Sequence, residues 1–263
     1  MRTIWMAASV LGLLLNGCAG VQTAPTQQER EALAPTGKLR GAFLANQPAH
    51  ATKDPTSGEL KGIAIDLGKE MARRLGVPFE VVTYPTPAAV VGSITSDQWD
   101  IIFTGIVPTR AKDLDFSAPY IQIEIGYLIA KASNISSISD VDRPGVRIAV
   151  VEKGATDVLL TPTLKAATLV RTPTIADAVE MVRSGQADAV AAIKTVLFPI
   201  TDRLPDLRVL DGRIAVADIG IGVPKGRAVA AGYIRKLVDE LKAEGFVKAA
   251  VERAGVRGLV AAP

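Results

Sequence analysis

From residue 38 onward the chain alternates between two hydrophobic periods. Lys38-Leu39-Arg40-Gly41-Ala42-Phe43 and Phe79-Glu80-Val81-Val82-Thr83-Tyr84 are short β-branched and aromatic runs that predict strands. Between them, Ile65, Leu67, Met71, Ala72 and Leu75 recur at helical spacing, and Gly76 followed by Pro78 supplies the stop. A second helix is predicted over 88–95. A buried strand follows over Trp99-Asp100-Ile101-Ile102-Phe103-Thr104, ending at Gly105. The same grammar returns with strands predicted over 146–151, 168–171, 188–193 and 208–210. Helices are predicted from Thr156 to Leu160 and from Thr174 to Ser184. A long helix over 228–244 closes the pattern at Gly245, with a shorter one after it. Repeated strand–helix–strand units favour mostly parallel sheets with right-handed crossovers. Two such sets within 263 residues predict an α/β chain of two lobes.

Composition narrows the function. Thirty basic and 27 acidic residues give a net charge of +3, with no basic stripe and only 5% aromatics, so no nucleic-acid partner is indicated. The single histidine and single cysteine leave no metal cluster, catalytic triad or Cys–His pair. Gly220-Ile221-Gly222 lacks the third glycine and the helix start of a nucleotide-binding loop, and no cofactor is called for.

The first segment reads as an address. Arg2 precedes an apolar stretch from Ile4 to Leu15, long enough for a signal-peptide core and too short to cross a bilayer. It ends in Leu15-Asn16-Gly17-Cys18, which resembles the bacterial lipobox, although Asn16 is less usual at its position. That assigns residues 1–17 to a lipoprotein signal peptide and Cys18 to lipidation, with membrane attachment through the lipid and a periplasmic location. An ordinary cleavable signal with an incidental cysteine is the alternative. Residues 18–36 are polar, carry Pro25 and Pro35, and read as a flexible tether.

The most specific stretch is Trp99-Asp100-Ile101-Ile102-Phe103-Thr104-Gly105-Ile106-Val107-Pro108-Thr109-Arg110 with Leu114-Asp115-Phe116-Ser117-Ala118-Pro119-Tyr120. It resembles the signature of bacterial extracellular solute-binding proteins of family 3, the polar amino-acid-binding type. Gly62-Ile63-Ala64-Ile65-Asp66-Leu67, Gly185-Gln186-Ala187-Asp188-Ala189-Val190, Gly220 to Gly226 and Leu241 to Gly245 resemble further family segments, in order, over roughly 37–255. The resemblance implies a two-lobed periplasmic-binding fold of the second type, each lobe a mostly parallel sheet flanked by helices and the two joined by a two-strand hinge. Lobe one would span 37–127 and 220–263, and lobe two 128–219, with crossings near 127–130 and 218–220. A small ligand, an amino acid or organic anion, would close the cleft of a monomer that delivers it to an ABC importer permease. A sensory component, or a cleft enzyme of the cyclohexadienyl dehydratase type, are the alternatives. Asp157 and Glu152 border the cleft turn but match no catalytic pattern.

The resemblance also implies site residues. Arg110 falls where the family grips the ligand carboxylate, a task suited to a planar, permanently charged fork. Thr104, Gly105 and Ile106 fall on the preceding ligand loop, which is shorter here than in the family. Ala155 and Thr156 fall on the Lys153-Gly154 turn, where first-turn amides face an anion. Asn46 and Gln47 occupy the first ligand loop as candidate hydrogen-bonding groups, and the neighbouring His50 reads as a surface histidine. The largest departure is Ala191-Ala192-Ile193-Lys194-Thr195. Relatives commonly place there an aspartate for the ligand's ammonium, and this chain has instead Lys194, a candidate for a second acidic group on the ligand. Tyr84 and Trp99 read as core.

Overall fold

The computed structural model describes residues 24–45, 47–54 and 56–263. Helix α1 (Gln27–Leu33) leads into strands β1 (Leu39–Leu44), β2 (Thr52–Lys53) and β3 (Leu60–Lys61), helix α2 (Ile63–Leu75), β4 (Phe79–Tyr84), α3 (Pro87–Gly92), β5 (Ile101–Gly105), α4 (Pro108–Ala111) and β6 (Leu114–Phe116). The long strand β7 (Ile121–Ala130) leaves this half. Next come β8 (Arg147–Val151), α5 (Ala155–Leu160), β9 (Thr168–Thr172), α6 (Ile175–Arg183), β10 (Ala189–Ile193), α7 (Lys194–Arg203) and β11 (Leu207–Val209). The equally long β12 (Ala215–Pro224) returns, followed by α8 (Ala228–Ala243), α9 (Phe246–Ala254) and β13 (Leu259–Ala261).

The strands run in the order β4-β1-β5-β12-β7-β10-β8-β9. At one end β4, β1 and β5 are parallel; at the other, β10, β8 and β9 are parallel. The two parallel sets are joined by β7 and β12, which pair antiparallel over Ile121–Ile125 and Ala215–Ile219. Beyond that stretch β7 runs on to pair with β10 and β11, while β12 runs on to pair with β5 and β6. The two-lobed α/β architecture with a two-strand hinge is therefore present. The hinge pairing is centred a few residues before the crossings read from the sequence, because the strands pair wherever both are extended and not where the apolar runs end.

Each lobe buries apolar side chains on both faces of its sheet. In lobe one, Phe43, Leu67, Met71, Ile234 and Leu237 pack α2 and α8 onto one face, and Ala42, Val90, Trp99 and Ile102 cover the other. In lobe two, Leu128, Ala149, Val179 and Leu197 lie on one side, with Ile129, Ile148, Val150 and Leu160 on the other. The expected core residue Trp99 is buried, its indole N–H donating to Ser93 Oγ at 3.0 Å. Tyr84 is only half-buried and donates to Gln98.

The part of the expected tether that lies among the described residues is not a tether throughout. Gln27–Leu33 is a helix closed by a capping box, in which Thr26 accepts from the Glu29 amide and Glu29 accepts from the Thr26 amide. Leu33 is fully buried in the lobe-one core and α1 lies against α8. The polar composition concealed this, because one buried leucine and a cap suffice to dock two turns. The signal segment, Cys18 and residues 19–23 lie outside the described residues.

Both lobes open with the same ionic clamp. In lobe one, Asp100 accepts from the Arg40 amide at 2.9 Å, Nε at 3.0 Å and Nη2 at 2.8 Å, and its own amide donates to the Arg40 carbonyl. In lobe two, Asp188 accepts from the Arg147 amide at 2.8 Å and from Nε and Nη2 at 3.1 Å, with the same return bond. Each ties the start of one parallel strand to the start of its neighbour. The environments differ, since the Asp100 side chain is 0% exposed and that of Asp188 is 35% exposed. Removing a partner of a buried pair leaves an uncompensated charge, whereas an exposed pair contributes little. In urea unfolding, Asp100→Ala should therefore cost about 3–5 kcal/mol and Asp188→Ala about 1 kcal/mol or less.

Candidate functional site

The carboxyl ends of β1, β5, β8 and β10 face one another across the gap between lobes, the usual binding locus for open α/β sheets. They enclose a cavity of about 400 Å³, within the range of small-molecule sites. Most of its wall is apolar: Leu44, Phe103, Val151, Ile175, Ala192 and Ile219 are among the lining residues. Polar groups enter at Gln47, His50, Thr104, Arg110, Thr156 and Thr174. A second, open depression of about 340 Å³ on α2 and α9 is lined by Asp66, Lys69, Glu70, Arg73, Phe246 and Arg253. Its charges are already paired, Arg73 with Glu70, Arg253 with Asp66 and Lys69 with Glu59.

Among the described residues, Arg110 is the only charged side chain on the cavity wall. Pro108 starts the short helix α4, and the Arg110 amide donates back to the Val107 carbonyl, which turns the side chain inward from the end of β5. Nη1 donates to the Gly105 carbonyl at 3.3 Å and Nη2 to the Lys153 carbonyl at 3.2 Å. Gly105 belongs to lobe one and Lys153 to lobe two, so the guanidinium spans the closed cleft. A Cβ placed on Gly105 would lie 3.3 Å from both the Ala155 Cβ and Arg110 Nη1, which shows how closely the lobes approach. Arg110 is 6% exposed and forms no ion pair among the described residues. Burial without an anion pushes it down to about 10.

Across the cleft, Lys153 adopts a left-handed conformation (φ 58°) and its amide donates to Asp157 Oδ2 at 3.0 Å. Thr156 is buried and lines the cavity with Ala155. Asp157 is buried but engaged, since Arg171 Nε donates to it at 3.0 Å and Thr161 Oγ1 at 3.1 Å. Glu152 is exposed. Neither acid bordering the turn lines the cavity.

Several sequence expectations change here. Lys194 is buried, yet it does not reach the cleft. Its Nζ donates to Glu124 Oε2 on the hinge strand β7 at 2.9 Å, and Glu124 Oε1 also accepts from Arg213 at 3.3 Å. Its stem passes Gly126 and Gly258, where a Cβ would come within 3.0 Å and 2.8 Å of Lys194 carbons. The preference of a buried ammonium for a carboxylate decides this, and Glu124 is supplied by tertiary contact 70 residues away. Ile106 also turns away from the cavity, its Cδ1 lying 2.8 Å from where a Cβ on Gly220 would sit. Thr104, Gly105, Ala155, Thr156 and Gln47 do line the cavity, while Asn46 lies outside the described residues.

His50, read from sequence as a surface residue, is 6% exposed and lines the cavity. Its backbone is fixed on both sides. The His50 amide donates to the Gln47 carbonyl at 2.9 Å, and its carbonyl accepts from the Ala64 amide at 3.2 Å. That approach needs a glycine at the start of α2, because Gly62 has φ 146° and a Cβ there would fall 2.4 Å from the His50 carbonyl oxygen. Gly62, just ahead of the helical run, is the sequence feature that could have located this approach. Both imidazole nitrogens and Gln47 Oε1 are buried with no partner among the described residues. Burial first, and then the Arg110 charge, push His50 down to about 4.

Comparison with known proteins agrees with this geometry. The arrangement defines a two-lobed binding protein of the type-2 periplasmic class. Holo ArgBP from T. maritima superposes with a TM-score of 0.71 at 25% identity, covering 85% of this chain and 98% of that one. The ancestral amino-acid-binding protein AncCDT-1, described as a precursor of cyclohexadienyl dehydratase, gives 0.71 at 25% identity over 85% and 97%. The ABC transporter glutamine-binding protein GlnH of Bacillus subtilis (strain 168) is 25% identical over 198 residues, 73% of this chain and 72% of its own length. Residues 39–255 match the family described as bacterial extracellular solute-binding proteins, family 3, and the chain belongs to that family.

The state of His50 sets a pH dependence. Between about 6.5 and 4 the unfolded chain takes up a proton at this imidazole that the folded chain refuses, so its contribution lowers stability as pH falls through that window and then levels off. The loss is at most about 3 kcal/mol at one pKa unit per 1.36 kcal/mol. His50→Gln should flatten this component, read as the difference between the two proteins in unfolding free energy at pH 7 and pH 4.5.

Proposed function

We propose that the chain is the solute-binding component of an ABC importer, a monomer that closes on one small carboxylate-bearing solute and presents it to a permease. The observation that carries this is Arg110, a buried guanidinium held between carbonyls of the two lobes with no acidic partner among the described residues. Burying an unpaired ion is costly, and a ligand carboxylate relieves that cost while adding charge-assisted hydrogen bonds. Because the same side chain touches both lobes, an anion held there also favours the closed form. Thr104 and Thr156 supply hydroxyls from opposite walls. Lys194 offers no second cation, so the double-anion ligand suggested by the sequence loses its support and one carboxylate remains.

Binding without turnover fits the site, since the acids nearest the turn are engaged or exposed and the relatives described above include binding proteins. Calorimetric titration with organic acids and amino acids should show one-to-one binding, and Arg110→Ala should weaken it tenfold to a hundredfold or more, the equivalent of about 1.5–3 kcal/mol. Small-angle scattering should show a smaller radius of gyration with ligand. Conversion of the ligand to product, or binding indifferent to Arg110, would overturn the reading.

Family membership implies export, and the Leu15-Asn16-Gly17-Cys18 segment supports lipid attachment as the means of retention. Fractionation should find the protein with membranes, and Cys18→Ser should release it or block its processing. Mature protein free in solution and cleaved at another bond would refute the anchor.

A further inference from the structure

The charges around the cleft say more about the ligand than that it carries a carboxylate. Among the described residues, no acidic residue that adjoins the cavity wall in sequence lines it. Asp157 is bound by Arg171 and the Lys153 amide. Asp177 caps its own helix through Thr174, and Asp218 accepts from Gln122 on the hinge at 2.9 Å. Asp218 also alternates with the cavity-lining Ala217 and Ile219, so it points to the opposite face of β12. Glu152 is exposed, and Glu124 holds Lys194 and Arg213. No carboxylate lines the cavity among the described residues. A ligand ammonium closed into this space would be desolvated without a counter-ion and would share it with the Arg110 cation. An α-amino acid carries such an ammonium beside its carboxylate.

The site nevertheless offers specific polar groups. The two ring nitrogens of His50 and the Gln47 oxygen are buried and have no partner among the described residues, and an orphaned buried polar atom calls for an explanation. A neutral imidazole presents one donor and one acceptor. A hydroxyl, which both donates and accepts, satisfies such a pair, whereas an ammonium can only donate. His50 and Arg110 line the same cavity, which places the ring where it can reach a ligand whose carboxylate Arg110 holds.

We propose that the cleft selects a hydroxy monocarboxylate over an α-amino acid: Arg110 holds the carboxylate, the apolar walls hold the body, and His50 with Gln47 holds a hydroxyl where an amino acid would present its ammonium. This rests on the reading that Arg110 binds a carboxylate.

The test is calorimetric titration with two matched triples, L-phenylalanine, 3-phenyllactate and 3-phenylpropionate, and L-leucine, 2-hydroxy-4-methylpentanoate and 4-methylpentanoate. L-glutamine and L-arginine serve as further amino acids. In a triple that binds, the hydroxy acid should exceed the amino acid by about tenfold or more, the worth of one hydrogen bond to a charged or buried group. His50→Phe should remove the advantage of the hydroxy acid over the unsubstituted acid and leave the unsubstituted acid bound. His50→Gln, which keeps a polar group, should retain part of it. Circular dichroism at neutral pH verifies that both variants fold. An amino acid binding as tightly as its hydroxy counterpart, or no acid of the panel binding, overturns the proposal. Equal affinity of the hydroxy and unsubstituted acids overturns the role given to His50. If amino acids win and Arg110→Ala still abolishes binding, the carboxylate site stands and only this selection fails. If Arg110→Ala leaves the affinity of the acids unchanged, the carboxylate reading itself fails.

Discussion

The antiparallel pairing of β7 with β12 is the constraint on which the rest of the molecule depends. Two ten-residue strands, paired over Ile121–Ile125 and Ala215–Ile219, carry, among the described residues, the only sheet link between the two parallel sets. One end of each strand is built into a lobe and cannot shift without breaking a ladder. Relative motion of the lobes is thereby confined to small backbone changes near this pairing, the usual form of hinge closure. The same strands bring the carboxyl ends of both parallel sets to face each other, so the hinge also creates the cleft. The Glu124–Lys194–Arg213 cluster sits on it, tying the first residue of α7 to β7.

The electrostatics of the cleft follow from a separation of duties among acids. Asp100 and Asp188 clamp strand starts, Asp157 and Asp177 organise helix starts in lobe two, and Glu124 serves the hinge. With these acids spent on the fold, the guanidinium of Arg110 is left in an apolar space with two carbonyls for company. On the proposed reading, a ligand anion recovers more of the cost of that placement here than it would at a wetter surface. His50 is held neutral by the same apolar surroundings, so the polar lining consists of one fixed charge and several uncharged hydrogen-bonding groups.

Much of this could be read from the chain. Every predicted strand is present within a few residues, because β-branched runs bounded by glycine and proline have few other solutions. The motif around Thr104-Gly105 and Arg110 located the cleft, since a sharp turn followed by proline fixes where the next side chain points. Gly62 was visible as a helix start, though not as the glycine that lets α2 meet the His50 carbonyl.

What the sequence could not decide depended on partners distant in the chain. Lys194 stands next to cleft residues in sequence, yet Glu124, brought alongside by β10 pairing with β7, claims its ammonium. His50 has an unremarkable polar neighbourhood in sequence, and α2 packing over its loop buries it with no partner for its ring among the described residues. Gln27–Leu33 is polar enough to pass for a linker, and one leucine entering the core beside α8 makes it part of lobe one. Local periodicity and turn chemistry determine elements because they act over a few residues. Whether a charge faces a cavity or a counter-charge is a difference of desolvation and pairing energies, and those are set only when remote strands meet.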